Sequence, residues 1–86
     1  MSIETDQLRE AVREYILREF LPGESPDKLS DTTPLITGGI LDSLGTLRLI
    51  AFLEDSYNIE VGADEVVTDN LNTVALITTF IEHKRH

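Results

Sequence analysis

The hydrophobic pattern of residues 5–20 predicts an amphipathic helix. Apolar side chains recur there at three- and four-residue steps, and charged side chains occupy most of the positions between them. The apolar positions are Leu8, Val12, Tyr15, Ile16 and Phe20. Leu21-Pro22-Gly23 ends the pattern, because proline disfavours a helical conformation in the preceding residue and glycine suits a helix exit. We therefore expect a first helix from Thr5 to Phe20.

The segment from Leu21 to Asp42 shows no helical period and contains several prolines and glycines. Loops longer than about 12–15 residues are uncommon in compact domains and are usually functional or disordered. Apolar residues that can attach this loop to a core are Leu29, Leu35, Ile36, Ile40 and Leu41. The pattern therefore predicts an ordered crossover rather than a floppy linker.

A second helix is predicted from Ser43 to Tyr57, with Asp42 or Ser43 as its N-cap. The positions expected on its core side are Leu47, Ile50, Leu53 or Glu54, and Tyr57. The positions expected to face solvent are Leu44, Arg48, Ala51 and Asp55. Leu49 and Phe52 widen the apolar surface, so one part of this helix can be core while another part contacts a partner.

Two further helices complete the prediction. Residues 63–67 have room for one or two turns, and a last helix begins near Asn72 or Thr73 and ends with the cations Lys84 and Arg85. The apolar side of the last helix is Val74, Ile77, Phe80 and Ile81. No strand alternation or repeat is present in the sequence. The predicted fold class is therefore all-α, a small four-helix bundle of three main helices and one short helix, with a long loop between helices 1 and 2, in a single domain over residues 1–86.

The charge of the chain restricts its partners. Its 86 residues include 16 acidic and 7 basic side chains, which gives a net charge of −9. This charge opposes binding to nucleic acid and to anionic lipid, and it favours partners with basic patches or serves solubility alone. The absence of cysteine excludes disulfides and thiolate metal sites. With no signal-peptide pattern and no stretch of transmembrane length in the sequence, we expect a cytoplasmic protein without a membrane span.

Candidate chemistry lies in the stretch Gly39-Ile40-Leu41-Asp42-Ser43-Leu44-Gly45. It places Ser43 where the long loop turns into an apolar helix, so the hydroxyl is expected to be exposed beside the positive end of the helix. A hydrolytic serine would need a histidine within reach, but the only histidines, His83 and His86, stand at the chain end. Residues 27–31 lack the ligand alternation of a calcium loop. Neither catalysis nor metal binding by this chain is expected.

The stretch from Asp42 to Ile50, Asp-Ser-Leu-Gly-Thr-Leu-Arg-Leu-Ile, resembles the prosthetic-group attachment site of acyl and peptidyl carrier proteins. The resemblance covers nearly the whole chain, including the entry to the last helix through Asn-Leu-Asn-Thr-Val at 70–74. It implies that Ser43, flanked by Asp42 and Leu44, carries 4′-phosphopantetheine derived from coenzyme A. It also implies an acyl or aminoacyl cargo, held as a thioester and delivered to enzymes of a fatty acid, polyketide or nonribosomal peptide pathway.

The same resemblance implies the partners. These are a phosphopantetheinyl transferase, an acyl- or aminoacyl-loading ligase, and downstream synthase or transferase enzymes. We separately expect a monomer, and a stand-alone protein because the sequence starts with Met1 and has no Pro/Ala-rich linker. The serine-bearing helix is the recognition surface of such carriers, which implies docking through Leu44, Arg48, Ala51 and Asp55. Gly45 and Arg48 stand where fatty-acid-type carriers commonly place acids. Arg48 is therefore expected to select acidic groups on a partner.

The cargo is left open by the sequence. Asp-Ser-Leu-Gly-Thr is also similar to aminoacyl carriers of the D-alanyl type, which serve cell-envelope modification, and to some stand-alone nonribosomal peptide or polyketide carriers. Four residues could wall an acyl pocket, although their helical spacing favours plain core: Leu49, Phe52, Ile77 and Phe80. A hypothesis of a different class is a helical adaptor that is never modified, for which Ser43→Ala would be silent.

Overall fold

The computed structural model describes residues 3–85 and confirms the all-α fold class. The helices are α1 (Ile3–Phe20), α2 (Ser43–Tyr57), α3 (Thr68–Leu71) and α4 (Val74–Arg85). Single 3₁₀ turns occur at Pro26–Lys28 and Ala63–Glu65, and no strand occurs within residues 3–85. Helix α4 contacts each of the other three helices, so it forms the centre of the bundle.

The core combines apolar side chains from all four helices and from the long loop. Its helical members are Leu8, Val12, Tyr15 and Ile16 of α1, Leu49, Ile50 and Leu53 of α2, Leu71 of α3, and Val74, Ile77, Phe80 and Ile81 of α4. Phe52 lies at the edge of this core, where its ring stacks on that of Tyr15 with 3.9 Å between centroids. Leu49, Ile77 and Phe80 are therefore packed core, as their spacing favours, rather than the walls of an open acyl pocket.

The long loop is ordered, as predicted. Leu29, Leu35 and Leu41 are at most 2% exposed, so the loop is attached to the core at three points. Arg13 donates to the backbone oxygen of Leu29 at 3.2 Å and also pairs with the carboxylate of Asp31. Asp31 thus holds the loop against α1 through an ion pair.

The orientation of α2 corrects the predicted core side. Leu47, expected in the core, is 60% exposed, whereas Leu49, which was expected only to widen the apolar surface, is fully buried. The side chains that face the core are Thr46, Leu49, Ile50 and Leu53, with the buried Gly45. Thr46 is tolerated there because its hydroxyl donates to the backbone oxygen of Asp42 at 2.8 Å. Apolar residues lie on most sides of α2, so the spacing of its apolar residues is compatible with more than one orientation of the helix against the core.

The short third helix also differs from the prediction. Residues 63–65 form only a 3₁₀ turn, and the α-helical turn lies further along the chain, at Thr68–Leu71. Val67 separates the two because its backbone is extended, with φ −134° and ψ 157°. The start of α4 agrees with the prediction, since the Thr73 hydroxyl accepts a hydrogen bond from the N–H of Leu76 at 3.0 Å and caps this helix.

Within the described part of the chain, no helix combines the length and apolar character needed to cross a bilayer.

Candidate functional site

Asp42 fixes the beginning of α2. Its backbone is extended and its Oδ1 accepts a hydrogen bond from the N–H of Gly45 at 2.7 Å, as expected of an N-cap residue. Its backbone oxygen accepts from both the N–H and the hydroxyl of Thr46, each at 2.8 Å. Of the two predicted caps, the structure therefore selects Asp42, and this leaves the Ser43 hydroxyl free of a capping role.

Ser43 is the first residue of α2 and is exposed. Within residues 3–85, no acceptor meets the backbone N–H of Ser43 or Leu44. Unpaired N–H groups at a helix N-terminus, together with the helix dipole, favour a negatively charged group. The Ser43 hydroxyl is thus reachable from solvent at a position that suits a phosphate.

A groove of about 600 Å³ opens beside Ser43 and is called here the Ser43 groove. Its walls come from the loop (Ile36, Leu41), from α2 (Thr46, Leu47) and from the segment that enters α3 (Val66, Val67, Thr68). Most of the lining is apolar, and the groove is open to solvent. Its volume falls in the range of small-molecule sites, about 300–1,000 Å³.

Exposed apolar side chains concentrate around Ser43. Leu44 is 68% exposed, Leu47 is 60% exposed and Val67 is 44% exposed. We call Ser43 with these three residues the Ser43 face. Single exposed apolar residues are ordinary on protein surfaces, but neighbouring ones mark interaction sites. The Ser43 face therefore has the character of a docking surface.

The residues predicted for docking all lie on the solvent side of α2, as expected: Leu44, Arg48, Ala51 and Asp55 are exposed. Arg48 is not isolated, however. Its Nη2 donates to Oε1 of Glu19 at 2.6 Å, and its guanidinium lies 5.1 Å from the centroid of the Phe20 ring. The positive charge predicted to select acidic partners is therefore already paired with a carboxylate of α1.

Tyr15 supports the same part of α2 from inside. Its hydroxyl donates to the backbone oxygen of Arg48 at 3.1 Å. Burial raises the pKa of the Tyr15 hydroxyl above its ordinary value, and the charge of Arg48 opposes this shift without cancelling it. The hydroxyl therefore remains protonated and remains a donor in the physiological range.

Gly45 packs against the end of α1. A Cβ at this position would lie 3.1 Å from Cε1 of Phe20 and 3.1 Å from Oδ1 of Asp42, closer than the 3.4–4 Å of ordinary van der Waals contact. A side chain at position 45 would therefore require the Phe20 ring or the Asp42 carboxylate to shift by a few tenths of an ångström. The preceding loop needs glycine for another reason, because Gly39 has a φ of 83°.

The histidines are not placed to serve Ser43. His83 lines a separate cleft with Asp69 and Leu76, and His86 lies outside the described residues. Within residues 3–85, no cluster of three or more metal-ligating side chains is present.

Three residues of this site were not predicted from the sequence. Leu47 was assigned to the core, and Ile36 and Val67 were not connected with Ser43. Val67 could have been recognised as an exposed apolar candidate, because the apolar pair Val66-Val67 stands directly before the polar residues Thr68-Asp69-Asn70. Ile36 could not have been recognised from the sequence, because only the folded chain brings its loop to the groove.

Comparison with known proteins identifies the family. No protein-family model matches the chain. It is 40% identical to D-alanyl carrier proteins from Streptococcus pyogenes serotype M5 (strain Manfredo), serotype M49 (strain NZ131) and serotype M1. Each match extends over 79 residues, which cover 92% of this chain and 96% of the relative. The chain therefore belongs to the acyl and peptidyl carrier protein family, in its stand-alone type, and its role is that of a carrier rather than an enzyme.

Proposed function

We propose that this chain is an aminoacyl carrier of the D-alanyl type, which holds D-alanine as a thioester on 4′-phosphopantetheine attached to Ser43. The observation that carries the proposal is the position of Ser43, an exposed hydroxyl at the start of α2 beside an open groove. The 40% identity to D-alanyl carrier proteins supports the cargo. No comparable observation supports a cargo from a fatty acid, polyketide or nonribosomal peptide pathway.

The attachment reaction requires little of the carrier itself. Oγ of Ser43 forms a bond to the pantetheine-bearing phosphorus of coenzyme A, its proton passes to a base of the transferase, and adenosine 3′,5′-bisphosphate leaves. Magnesium and the base belong to the transferase. The chain contributes an accessible hydroxyl, the Asp42 cap that holds the helix start, and N–H groups at Ser43 and Leu44 that suit the resulting phosphodiester.

The residues around Ser43 fit the prosthetic group. When bound, 4′-phosphopantetheine supplies a thiol, which a chain without cysteine cannot provide itself. The apolar walls formed by Leu41, Val66 and Val67 offer contact to an extended arm, and the hydroxyls of Thr46 and Thr68 stand in the same groove. The Ser43 groove therefore has both the position and the lining that such an arm needs.

The close packing of the core is consistent with a small cargo. Leu49 and Ile77 have no exposed surface, and Phe80 is 7% exposed, so packed side chains fill the interior where a long acyl chain would need space. A fatty acyl chain could enter such a core only if these closely packed side chains moved apart. An alanyl group needs no interior cavity.

The Ser43 face supplies the proposed docking surface for the transferase, for an aminoacyl-loading ligase and for downstream transferases. The sequence expectation named Leu44, Arg48, Ala51 and Asp55, and the structure supports the addition of Leu47 and Val67 because both are exposed and line the groove. An apolar centre with a polar rim is the usual composition of such interfaces. The paired Arg48 belongs to the rim.

The first test is the intact mass of the protein after incubation with coenzyme A, magnesium and a permissive phosphopantetheinyl transferase. We expect a gain of one phosphopantetheine in the wild type and none in Ser43→Ala. Ser56→Ala is the matched control, because Ser56 is also an exposed serine of α2 but lies near its C-terminal end. An unmodified but folded wild type, with a known carrier labelled in parallel, would favour the adaptor hypothesis instead.

The second test concerns the cargo. The modified protein is incubated with ATP, D-alanine and a D-alanine-activating ligase, and separately with loading enzymes for malonyl, long-chain acyl and L-aminoacyl groups. We expect a hydroxylamine-sensitive D-alanyl thioester to accumulate faster than any other. Preferential loading of a different group would leave the carrier role intact and overturn the D-alanyl assignment.

A further inference from the structure

We propose that Asn72 is a positioning residue for the modification of Ser43. It fastens loop residues 35–37 to the junction of α3 and α4, and so keeps the Ser43 groove and the chain leading into Ser43 in one arrangement. The inference rests on the proposed function of Ser43. It concerns a side chain remote from Ser43 in the sequence, for which the sequence indicated no functional role.

Asn72 makes an unusual number of bonds to the loop. Its backbone oxygen accepts from the N–H of Leu35 at 2.7 Å. Its side-chain Oδ1 accepts from the N–H of Ile36 at 2.9 Å and from the N–H of Thr37 at 3.0 Å. Its Nδ2 donates to the hydroxyl of Thr37 at 3.2 Å. One residue therefore satisfies three consecutive N–H groups of a segment that has no helix or strand of its own.

These bonds connect two walls of the Ser43 groove. The N–H of Asn72 itself donates to the backbone oxygen of Thr68 at 3.0 Å, and Thr68 lies in the α3 wall. Ile36, held by the Asn72 side chain, lies in the loop wall. Asn72 thus joins the loop wall of the groove to the α3 wall.

The same bonds reach the residue before the cap. Leu35, bonded to the backbone of Asn72, accepts from the N–H of Leu41 at 2.9 Å. Leu41 is buried and is followed directly by Asp42 and Ser43. A series of hydrogen bonds therefore runs from α3 through Asn72 and Leu35 to the start of α2.

The chemistry of the asparagine side chain is specific to this task. A carbonyl oxygen with two lone pairs accepts both N–H groups, and the amide donates to the Thr37 hydroxyl. An aspartate keeps the acceptor and can receive a hydrogen bond from the same hydroxyl. An alanine leaves the N–H groups of Ile36 and Thr37 without a partner, which favours arrangements of the loop in which water satisfies them.

The test compares the kinetics of phosphopantetheine transfer to full-length wild type, Asn72→Ala and Asn72→Asp. If the competent arrangement of the alanine variant falls to about a tenth of the population, the KM of the transferase for it rises about tenfold while kcat stays unchanged. The aspartate variant should return to within about twofold of wild type. Rescue by the conservative variant separates positioning from a loss of stability.

Thr73→Ala is the matched control. It removes the side-chain cap of α4 one residue further along the chain, and it leaves every loop bond of Asn72 in place. We expect a comparable loss of thermal stability with an unchanged KM. Should Asn72→Ala lose its helical circular dichroism, Asn72→Gln is used in its place, because its longer side chain keeps the amide but displaces it from the loop, and the same rise in KM is expected.

Amide hydrogen exchange of Ile36 and Thr37 gives a readout that does not depend on modification. Faster exchange at these two amides in Asn72→Ala, and not in Thr73→Ala, is the expected result. Unchanged exchange, or an unchanged KM in a folded Asn72→Ala protein, overturns the inference. If the wild type is not modified at all, the proposed function of Ser43 fails, and with it the positioning role, while the exchange data still show whether Asn72 holds the loop.

Discussion

The Ser43 face and the interface between α1 and α4 are both apolar, but only one of them is covered. Val12 and Ile16 of α1 and Ile77 and Ile81 of α4 have no exposed surface, and the Thr5 hydroxyl donates to Glu82 across the same pair of helices at 2.6 Å. At the Ser43 face, by contrast, Leu44 and Leu47 are largely exposed. The fold uses the first surface for stability and leaves the second without an intramolecular partner. Exposed apolar surface that the fold does not need is available for other proteins.

Helix α2 takes part in both regions, which permits a matched experiment within one helix. Leu49→Ala should lower the free energy of unfolding by about 2–5 kcal/mol, because it removes a fully buried side chain and leaves a cavity. Leu47→Ala should change it by less than about 0.5 kcal/mol, because Leu47 is mostly exposed. Urea denaturation measures both. Equal losses would mean that Leu47 belongs to the core, as its sequence spacing predicts.

The second prediction addresses what the uncovered surface is for. Leu44→Ala should raise the KM of the loading ligase for the modified protein about tenfold, since apolar anchors at interface centres contribute about 1–2 kcal/mol or more. Its stability should be unchanged. Leu76→Ala is the control, because Leu76 is an exposed leucine of α4 that lines a different cleft. Equal effects of the two substitutions on the KM would remove the distinction between the Ser43 face and the remaining surface.

The sequence was sufficient for the features that depend on local pattern. The bounds of α2, the C-terminal end of α1, the buried leucines of the loop and the exposed side of α2 all follow from periodicity and from proline and glycine positions. The starts of α1 and α4 were predicted only to within about two residues, since α1 begins at Ile3 rather than Thr5 and α4 begins at Val74. Ser43 was found because its neighbours in the sequence carry the resemblance. Its exposure in the structure agrees with that prediction.

The features that the sequence did not predict depend on contacts between distant residues. Leu47 was misplaced because the orientation of an apolar helix is decided by what packs against it, here α1 and α4. The pairing of Arg48 with Glu19 and the bonds of Asn72 to residues 35–37 join segments that are far apart along the chain. No local period contains such information.

The third prediction concerns the rim of the Ser43 face. Arg48→Glu should lower stability by only about 0–1 kcal/mol, because the ion pair with Glu19 is half exposed. It should weaken binding to a partner with acidic groups. Glu19→Gln, which leaves the Arg48 charge unpaired, should strengthen that binding, most clearly at low ionic strength. Identical kinetics of both variants with every cognate enzyme would show that Arg48 has no role in partner choice.

The smallest expected effect concerns Glu65, which in the chain directly precedes residues 66–68 of the Ser43 groove wall. The Lys84 ammonium and the N–H of Gly62 donate to the Glu65 carboxylate and hold its pKa below the ordinary value. This stabilisation is complete above the ordinary pKa of glutamate and is lost as the pH falls through the lower pKa of the folded state. The melting temperature of the wild type is expected to decrease as the pH is lowered from about 5 to about 3, and Glu65→Gln should make this decrease smaller. A curve parallel to that of the wild type would contradict this assignment.

The close contact between Gly45 and Phe20 has a consequence for how carrier surfaces diversify. A single replacement of Gly45 by glutamate would push against the Phe20 ring, which also lies beneath the Arg48 guanidinium. A side chain at position 45 requires the Phe20 ring to shift by a few tenths of an ångström or to be replaced by a smaller residue, and either change alters the support of Arg48. Conversion to an acidic recognition helix therefore involves position 20 as well as positions 45 and 48, and we expect Gly45→Glu to be tolerated better when a smaller residue replaces Phe20.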